Sequence, residues 1–352
     1  MSLSRSQYLQ PLYWGILHGV NDMAAGFLLA SYTLTHNYSD SFLFVSLYAI
    51  MGFGGQLPVG FWLDKKKDIN LFAKIAVSLL PLAILISFVS PSLGILCSGL
   101  ASAFVHVTGG TICLQVHDNK SGPLGLFTAP GVLGLTVGGL LGDTGTWLPM
   151  LLVAASLILI LFIFRHPLPV YSTPDKKESE IDSHDFIMLL ILLLMCFRSF
   201  LFDVVNYVAE YYEDGVLYIG LSAFAGKVIG GFMADKIGTK KFIYISLLSS
   251  LVFFQIGKEN IYILCGGVAL LQSSVPVTLL MMSRSLPFHP ATATAFSLGI
   301  SIAMAGLPLF LVSDKMHIAR LFQTNWLTAL FFALLLIILF AGGRMMFRKM
   351  YG

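Results

Sequence analysis

Few ionisable side chains interrupt the apolar stretches of this chain, and their spacing is informative. His18, Asn21 and Asp22 stand at i, i+3 and i+4 in a run that is otherwise apolar. On a helix they fall within about 100° of one another and form one polar stripe. An acid beside an imidazole can take up and release a proton near neutral pH, or hold a polar solute. A second run carries Arg198, Asp203, Asn206 and Glu210, the last three on a shared face. Arg198 and Asp203 are about 140° apart around that helix, so Arg198 needs a partner on another element. His106, Lys227 and Gln272 stand singly in three further runs. His106 is a candidate proton relay. Lys227, about 9 Å from the nearer end of its helix, either snorkels to the surface or neutralises an acid in a cavity. Gln272, with Gln56, Ser273 and Ser274, can supply hydrogen bonds to a cavity wall.

These residues need elements that tolerate them. The chain is 57% hydrophobic and 11% charged, against roughly 25% charge in a soluble domain. A helix crossing a bilayer core needs about 20 apolar residues. Twelve stretches qualify, at 10–34, 41–62, 69–89, 92–114, 122–142, 146–165, 186–209, 214–233, 241–257, 261–283, 291–313 and 324–343. The expected class is an all-α membrane protein with twelve transmembrane helices. The first stretch is too long for a cleaved signal and is expected to remain as helix 1. An ionisable group at the bilayer centre costs at least ~2.5–3.5 kcal/mol, so the polar stripes must face the protein interior. A purely structural network, with His18 and Asn21 satisfying Asp22, remains an alternative to a substrate or proton site. Cys97, Cys113, Cys196 and Cys265 all lie in apolar stretches. They read as packing residues rather than a disulfide or metal set. No metal, cofactor or nucleic-acid partner is expected.

The basic residues fix an orientation. With the N-terminus in the cytoplasm, sixteen of the 21 Lys and Arg fall at cytoplasmic ends of the stretches. Three (Lys258, Lys315, Arg320) fall outside, and Arg198 and Lys227 lie within helices. This bias predicts a multi-pass protein of the inner (plasma) membrane with both termini cytoplasmic. The long hydrophilic interruption runs from Arg165 to Asp185 and carries three prolines. It divides the chain into a six-helix bundle over 1–166, a cytoplasmic linker over 167–185 and a second six-helix bundle over 186–352.

The halves share a motif. The loop after helix 2 reads GFWLDKKK, with Gly60, Asp64 and Lys65. The loop after helix 8 reads GFMADKIGTKK, with Gly231, Asp235, Lys236 and Gly238. Each glycine lets helix ends approach closely, and each acid suits the positive end of a neighbouring helix. The pattern G-x-x-x-D-[RK]-x-G-x-[RK]-[RK] resembles the signature loop of the major facilitator superfamily. The second copy matches nearly throughout; the first has lysine where the second glycine belongs. That difference predicts the stricter gate at the helix 8–9 side. Helix 1, HGVNDMAAGFLLASYTL, and the His in AFVHVTGG are similar to the fosmidomycin-resistance branch of that superfamily. Helix 4 lacks the arginine usual in drug/proton antiporters. Gly131, Gly134, Gly138, Gly139 and Gly142, with Pro130, resemble the glycine-rich antiporter motif of helix 5 without its central proline.

The resemblance implies a secondary active transporter of a small organic solute, working monomerically in the lipid bilayer by alternating access. It points to proton coupling and efflux. Helices 1 and 7 would then line a central cavity, with Asp22 and Arg198 at similar depth and facing each other across it. No G-x-x-x-x-G-K-[ST] sequence is present, so ATP hydrolysis by a P-loop is not expected. Two alternatives stay open. One is a non-transporting sensor or scaffold of the same fold. The other is an embedded lipid-modifying enzyme; only Asp22 and Asp203 lie well inside the helices, and neither belongs to an H-E-x-x-H, D-x-x-D or G-x-S-x-G constellation.

Overall fold

In a hydrocarbon environment every backbone polar group must be satisfied within its own segment, so an apolar chain of this kind forms helices. The computed structural model describes residues 8–310 except 36–37, 117–118, 143, 146, 166–167 and 174–183, together with Phe322 and Ala333. The helices are α1 (Leu9–Thr35), α2 (Tyr38–Ala49), α3 (Gln56–Lys66), α4 (Ile69–Ser87), α5 (Pro91–Val116), α6 (Gly122–Leu140) and α7 (Trp147–Arg165). They continue as α8 (His184–Ala209), α9 (Gly215–Ile237), α10 (Thr239–Ile256), α11 (Ile261–Ser273), α12 (Val275–Ser285), α13 (Pro290–Ala295) and α14 (Ser301–Phe310). Helices overlap eleven of the twelve expected stretches; the twelfth, 324–343, lies outside the described helices. Eight described runs are long and apolar enough to cross a membrane. Helix α1 is not among them, because Gln10, His18, Asn21 and Asp22 dilute its hydropathy.

Three of the expected stretches are interrupted. A π turn, Ile50–Gly54, joins α2 to α3, and a second, Phe296–Ile300, joins α13 to α14. A π turn widens the helix and frees a carbonyl, and such turns cluster at functional positions. Here the two meet. The amide of Gln56 is buried and donates from Nε2 to Gly52 O at 2.9 Å and to Leu298 O at 3.2 Å. One side chain thus serves a carbonyl in each π turn. The third interruption separates α11 from α12 at Ser274, just before Pro276, whose ring cannot continue the hydrogen-bond ladder.

Among the described residues two large apolar cores form, beside a small cluster of Ala25, Phe44, Tyr48 and Ile95. One gathers α8 to α12 with Ala293, Leu309 and Phe322. The other gathers α1 and α3 to α7, and takes in Leu279, Leu280, Ala291, Ala295 and Leu298 from the later helices. Helices α1 and α6 run backbone to backbone. A side chain at Gly134 would overlap the Gly19 backbone, and one at Gly138 the Met23 backbone. This is small-residue packing, the usual way membrane helices gain close contact without a hydrophobic driving force.

Candidate functional site

The close α1–α6 contact positions His18. Its Nδ1 lies 2.9 Å from the carbonyl oxygen of Phe127 on α6. A carbonyl only accepts, so Nδ1 carries the hydrogen and Nε2 is left facing inward. Gly131 makes the room: a methyl there would overlap the imidazole ring. On α5, His106 is held the same way, with Nδ1 2.7 Å from Ser102 O and 3.1 Å from Ser102 Oγ. The Tyr48 hydroxyl also donates to Ser102 Oγ, at 3.1 Å.

Both Nε2 atoms converge on one oxygen. Asp22 Oδ2 lies 3.1 Å from His18 Nε2 and 3.8 Å from His106 Nε2. The other oxygen, Oδ1, accepts from Asn21 Nδ2 at 2.9 Å. All four residues are buried, and the two imidazole rings stack edge to face with centroids 4.3 Å apart. Two neutral imidazoles presenting lone pairs to a carboxylate repel it, so a proton or another cation must stand between them. The helical spacing of His18, Asn21 and Asp22 is readable in sequence. The arrival of His106, and its orientation by Ser102, are not.

The remaining expected residues lie elsewhere. Buried Arg198 donates from Nη1 to Thr278 Oγ1 on α12 at 2.7 Å. No carboxylate of a described residue lies within ion-pair distance of it. The expected opposition of Asp22 and Arg198 is therefore not an ion pair: two imidazoles occupy Asp22, and a hydroxyl takes Arg198. Lys227 stands within electrostatic reach of both, and its Nζ is 3.4 Å from Thr128 O on α6. Asp203 and Asn206 are partly buried and make no side-chain hydrogen bond or ion pair among the described residues, while Glu210 is exposed. Gln272 is buried beside the α11–α12 break. A separate cavity of about 490 Å³, lined by Phe27, Tyr32, Ser87 and Gly142 among others, holds none of these ionisable residues.

The G-x-x-x-D-K acids act across the molecule. Asp64, at the end of α3, caps the start of α13. Its Oδ1 accepts from Ala291 N at 3.0 Å, and its Oδ2 from Thr292 N at 2.9 Å and Thr292 Oγ1 at 2.5 Å. Asp235, at the end of α9, caps the start of α6. It accepts from Ser121 N at 2.8 Å, Ser121 Oγ at 2.8 Å and Gly122 N at 2.9 Å. The arrangement is reciprocal: the first acid holds a later helix and the second an earlier one. Gly60 packs against Ala291 and Thr292, and Gly231 against Ser121 and Gly122. Lys65 and Lys236 occupy the last turns of their helices, where cations suit the dipole.

The two caps differ in their bonding. Asp64 also accepts from the Tyr171 hydroxyl, so the degenerate first copy carries the more heavily bonded carboxylate. The missing second glycine is absorbed by Lys67, which takes the left-handed conformation itself at φ 56°. Its counterpart Gly238 stands at φ 91°. Pro290, in the first turn of α13, is a sequence signal that could have located the helix end Asp64 caps.

The fold is similar to that of solved membrane transporters, among them one described as a major facilitator superfamily transporter in the outward conformation, at 14% identity and TM-score 0.70. The similar solved structures include the E. coli fucose:proton symporter, at 14% identity and TM-score 0.71, covering 95% of this chain and 98% of that one. A bacterial homologue of the iron transporter ferroportin, in an outward-facing state, matches at 14% identity and TM-score 0.66 over 95% and 98% of the two chains. The human organic anion transporter MFSD10 matches at 14% identity and TM-score 0.65 over 96% and 99%. No family model and no curated protein sequence matches the chain.

Proposed function

We propose that the chain is a proton-coupled secondary transporter that moves a small organic solute by alternating access, with net export. Its moving parts would be two six-helix bundles, 1–166 and 186–352, joined by the linker 167–185. The observation that carries this reading is the reciprocal capping by Asp64 and Asp235. Two acids at corresponding helix ends each hold a helix of the other half, so the halves separate at this end only if both caps break together. A scaffold with no cycle has no use for such a paired, breakable closure.

With the basic loops in the cytoplasm, the capped end is the cytoplasmic gate, and the protein stands closed to the cytoplasm. Both termini would be cytoplasmic and the chain would sit in the inner (plasma) membrane. Asp22, flanked by His18 and His106, is the coupling group of this reading. Buried Arg198 and half-buried Lys227 favour a solute carrying negative charge. The folds shared with a proton symporter and an organic anion transporter agree with both choices.

The test is flux in proteoliposomes under an imposed pH gradient, over a panel of organic acids and amphipathic anions. Gradient-driven flux that Asp22→Asn abolishes is the expected result. Flux indifferent to the gradient removes the coupling claim. No flux across the panel turns the reading toward a sensor.

A further inference from the structure

We propose that, when Asp22 carries no proton, His18, Asp22 and His106 form a binding site for one divalent transition-metal ion of the zinc type, which competes there with the coupling proton of the reading above. Their donor atoms, Nε2, Oδ2 and Nε2, all lie within 4.8 Å of one another and are buried. Adjacent ligands of a tetrahedral zinc, each about 2.0–2.1 Å from the metal, stand about 3.3 Å apart. The His18–Asp22 separation of 3.1 Å is already close to that value. The His106–Asp22 separation of 3.8 Å closes with a small side-chain rotation.

The outer shell makes the site specific. Metal-bound imidazoles donate their second N–H to a carbonyl or carboxylate, which fixes the tautomer and aims the lone pair. Both imidazoles do this, to Phe127 O and to Ser102 O. The carboxylate is held likewise: Asn21 occupies Oδ1 and leaves Oδ2 to the centre. Three donors on two helices are thus oriented by three outer partners. A single proton satisfies the shorter contact, whereas 3.8 Å is too long for a hydrogen bond. One metal ion satisfies all three donors at once. Two nitrogens and one oxygen suit Zn²⁺, Co²⁺ or Ni²⁺ and disfavour Mg²⁺ and Ca²⁺. Three protein ligands leave the fourth position for water or an incoming anionic group, as in sites that are not purely structural.

The test is metal binding by the purified full chain in detergent. The protein is stripped with chelator, dialysed against Zn²⁺, and counted by mass spectrometry. One Zn²⁺ per chain is expected, with affinity falling at least about 100-fold in His106→Gln and in Asp22→Asn. X-ray absorption of the zinc-loaded wild type gives a readout that needs no variant: two imidazoles and oxygen ligands support the site. Sulfur ligands overturn it, as does stoichiometric zinc equally retained by both variants, or no zinc. Binding is read without transport, so failed gradient-driven flux and failed metal binding are separate results.

Discussion

The hydroxyl of Tyr171, in the segment after α7, donates to the Asp64 carboxylate that caps α13. This segment is therefore tied to the capped helix end, and its next residue, Ser172, donates from N and Oγ to Gln115 Oε1 at the end of α5. Burial first, and then the Asp64 carboxylate, push the Tyr171 hydroxyl above the usual phenol range. The raised value means that the bond is fully present below the free phenol value of about 10 and is lost only as pH climbs through the higher one. The latch should thus be indifferent to pH across the neutral and mildly alkaline range. A hydrogen bond to a charged group contributes about 1.5–3 kcal/mol, and less where water reaches it. Tyr171→Phe should raise the population with this end open by about fivefold, for a loss near 1 kcal/mol. Spin labels at Lys67 and Phe288 would read it as growth of the longer distance. An unchanged distribution would remove Tyr171 from the gate.

Gln56 makes the second prediction. Its amide serves one carbonyl in each π turn, and no other side chain of a described residue donates to Leu298 O. Gln56→Met keeps the volume and removes the donor. Each of the two buried hydrogen bonds lost contributes about 0.5–1.5 kcal/mol net. The variant should melt several degrees below the wild type in detergent. Gln56→Glu should be worse, because it brings an acceptor toward two acceptors. Equal melting of all three proteins would show that the π turns need no bridge.

The order of these elements explains what is legible in sequence. That the described chain is helical follows from apolar length, which is a local property; the breaks at Ile50–Gly54, Ser274 and Phe296–Ile300 do not. The stripe His18–Asn21–Asp22 is local too, since it lies on one helix. The partners are not. His106 reaches Asp22 from α5, and Thr278 reaches Arg198 from 80 positions away. Depth along a helix brings Asp22 and Arg198 to the same level but cannot tell which way each side chain turns. The bonding of the two capping acids is likewise not legible from the motif. A motif scores its own residues, whereas the strength of the Asp64 cap comes from Thr292 and Tyr171, far along the chain.

Lys67 and Gly238 occupy equivalent places, and only one is suited to its backbone. A residue with a Cβ in the left-handed region costs roughly 1–2 kcal/mol. Lys67→Gly should therefore raise the melting temperature, by about 1 kcal/mol of stability after the added chain entropy of glycine. Gly238→Ala should lower it by a similar amount, since φ 91° suits only glycine. Melting in detergent with a fluorescent thiol probe or light scattering checks both. Opposite signs are the expected result, and a loss on Lys67→Gly would show that the lysine side chain contributes more than its backbone costs.

Two glycines of α6 separate the site from the scaffold. At Gly139 an added methyl meets open space. Alanine is favoured over glycine within a helix by about 1 kcal/mol, so Gly139→Ala should leave flux intact and hold or improve stability. At Gly131 the same methyl overlaps the His18 ring at Nε2, Cε1 and Cδ2. The ring must then leave Phe127 O or Asp22 Oδ2, and either move dismantles the cluster. Because the ring can rotate, the helix pair should survive and the stability loss should stay within the ~1–3 kcal/mol of an overpacked core. Gradient-driven flux should fall at least about tenfold, which corresponds to about 1.4 kcal/mol in the barrier. Flux and melting temperature measured on the two variants decide the matter together. If Gly131→Ala transports as well as Gly139→Ala, the position of His18 is not what the transport cycle depends on.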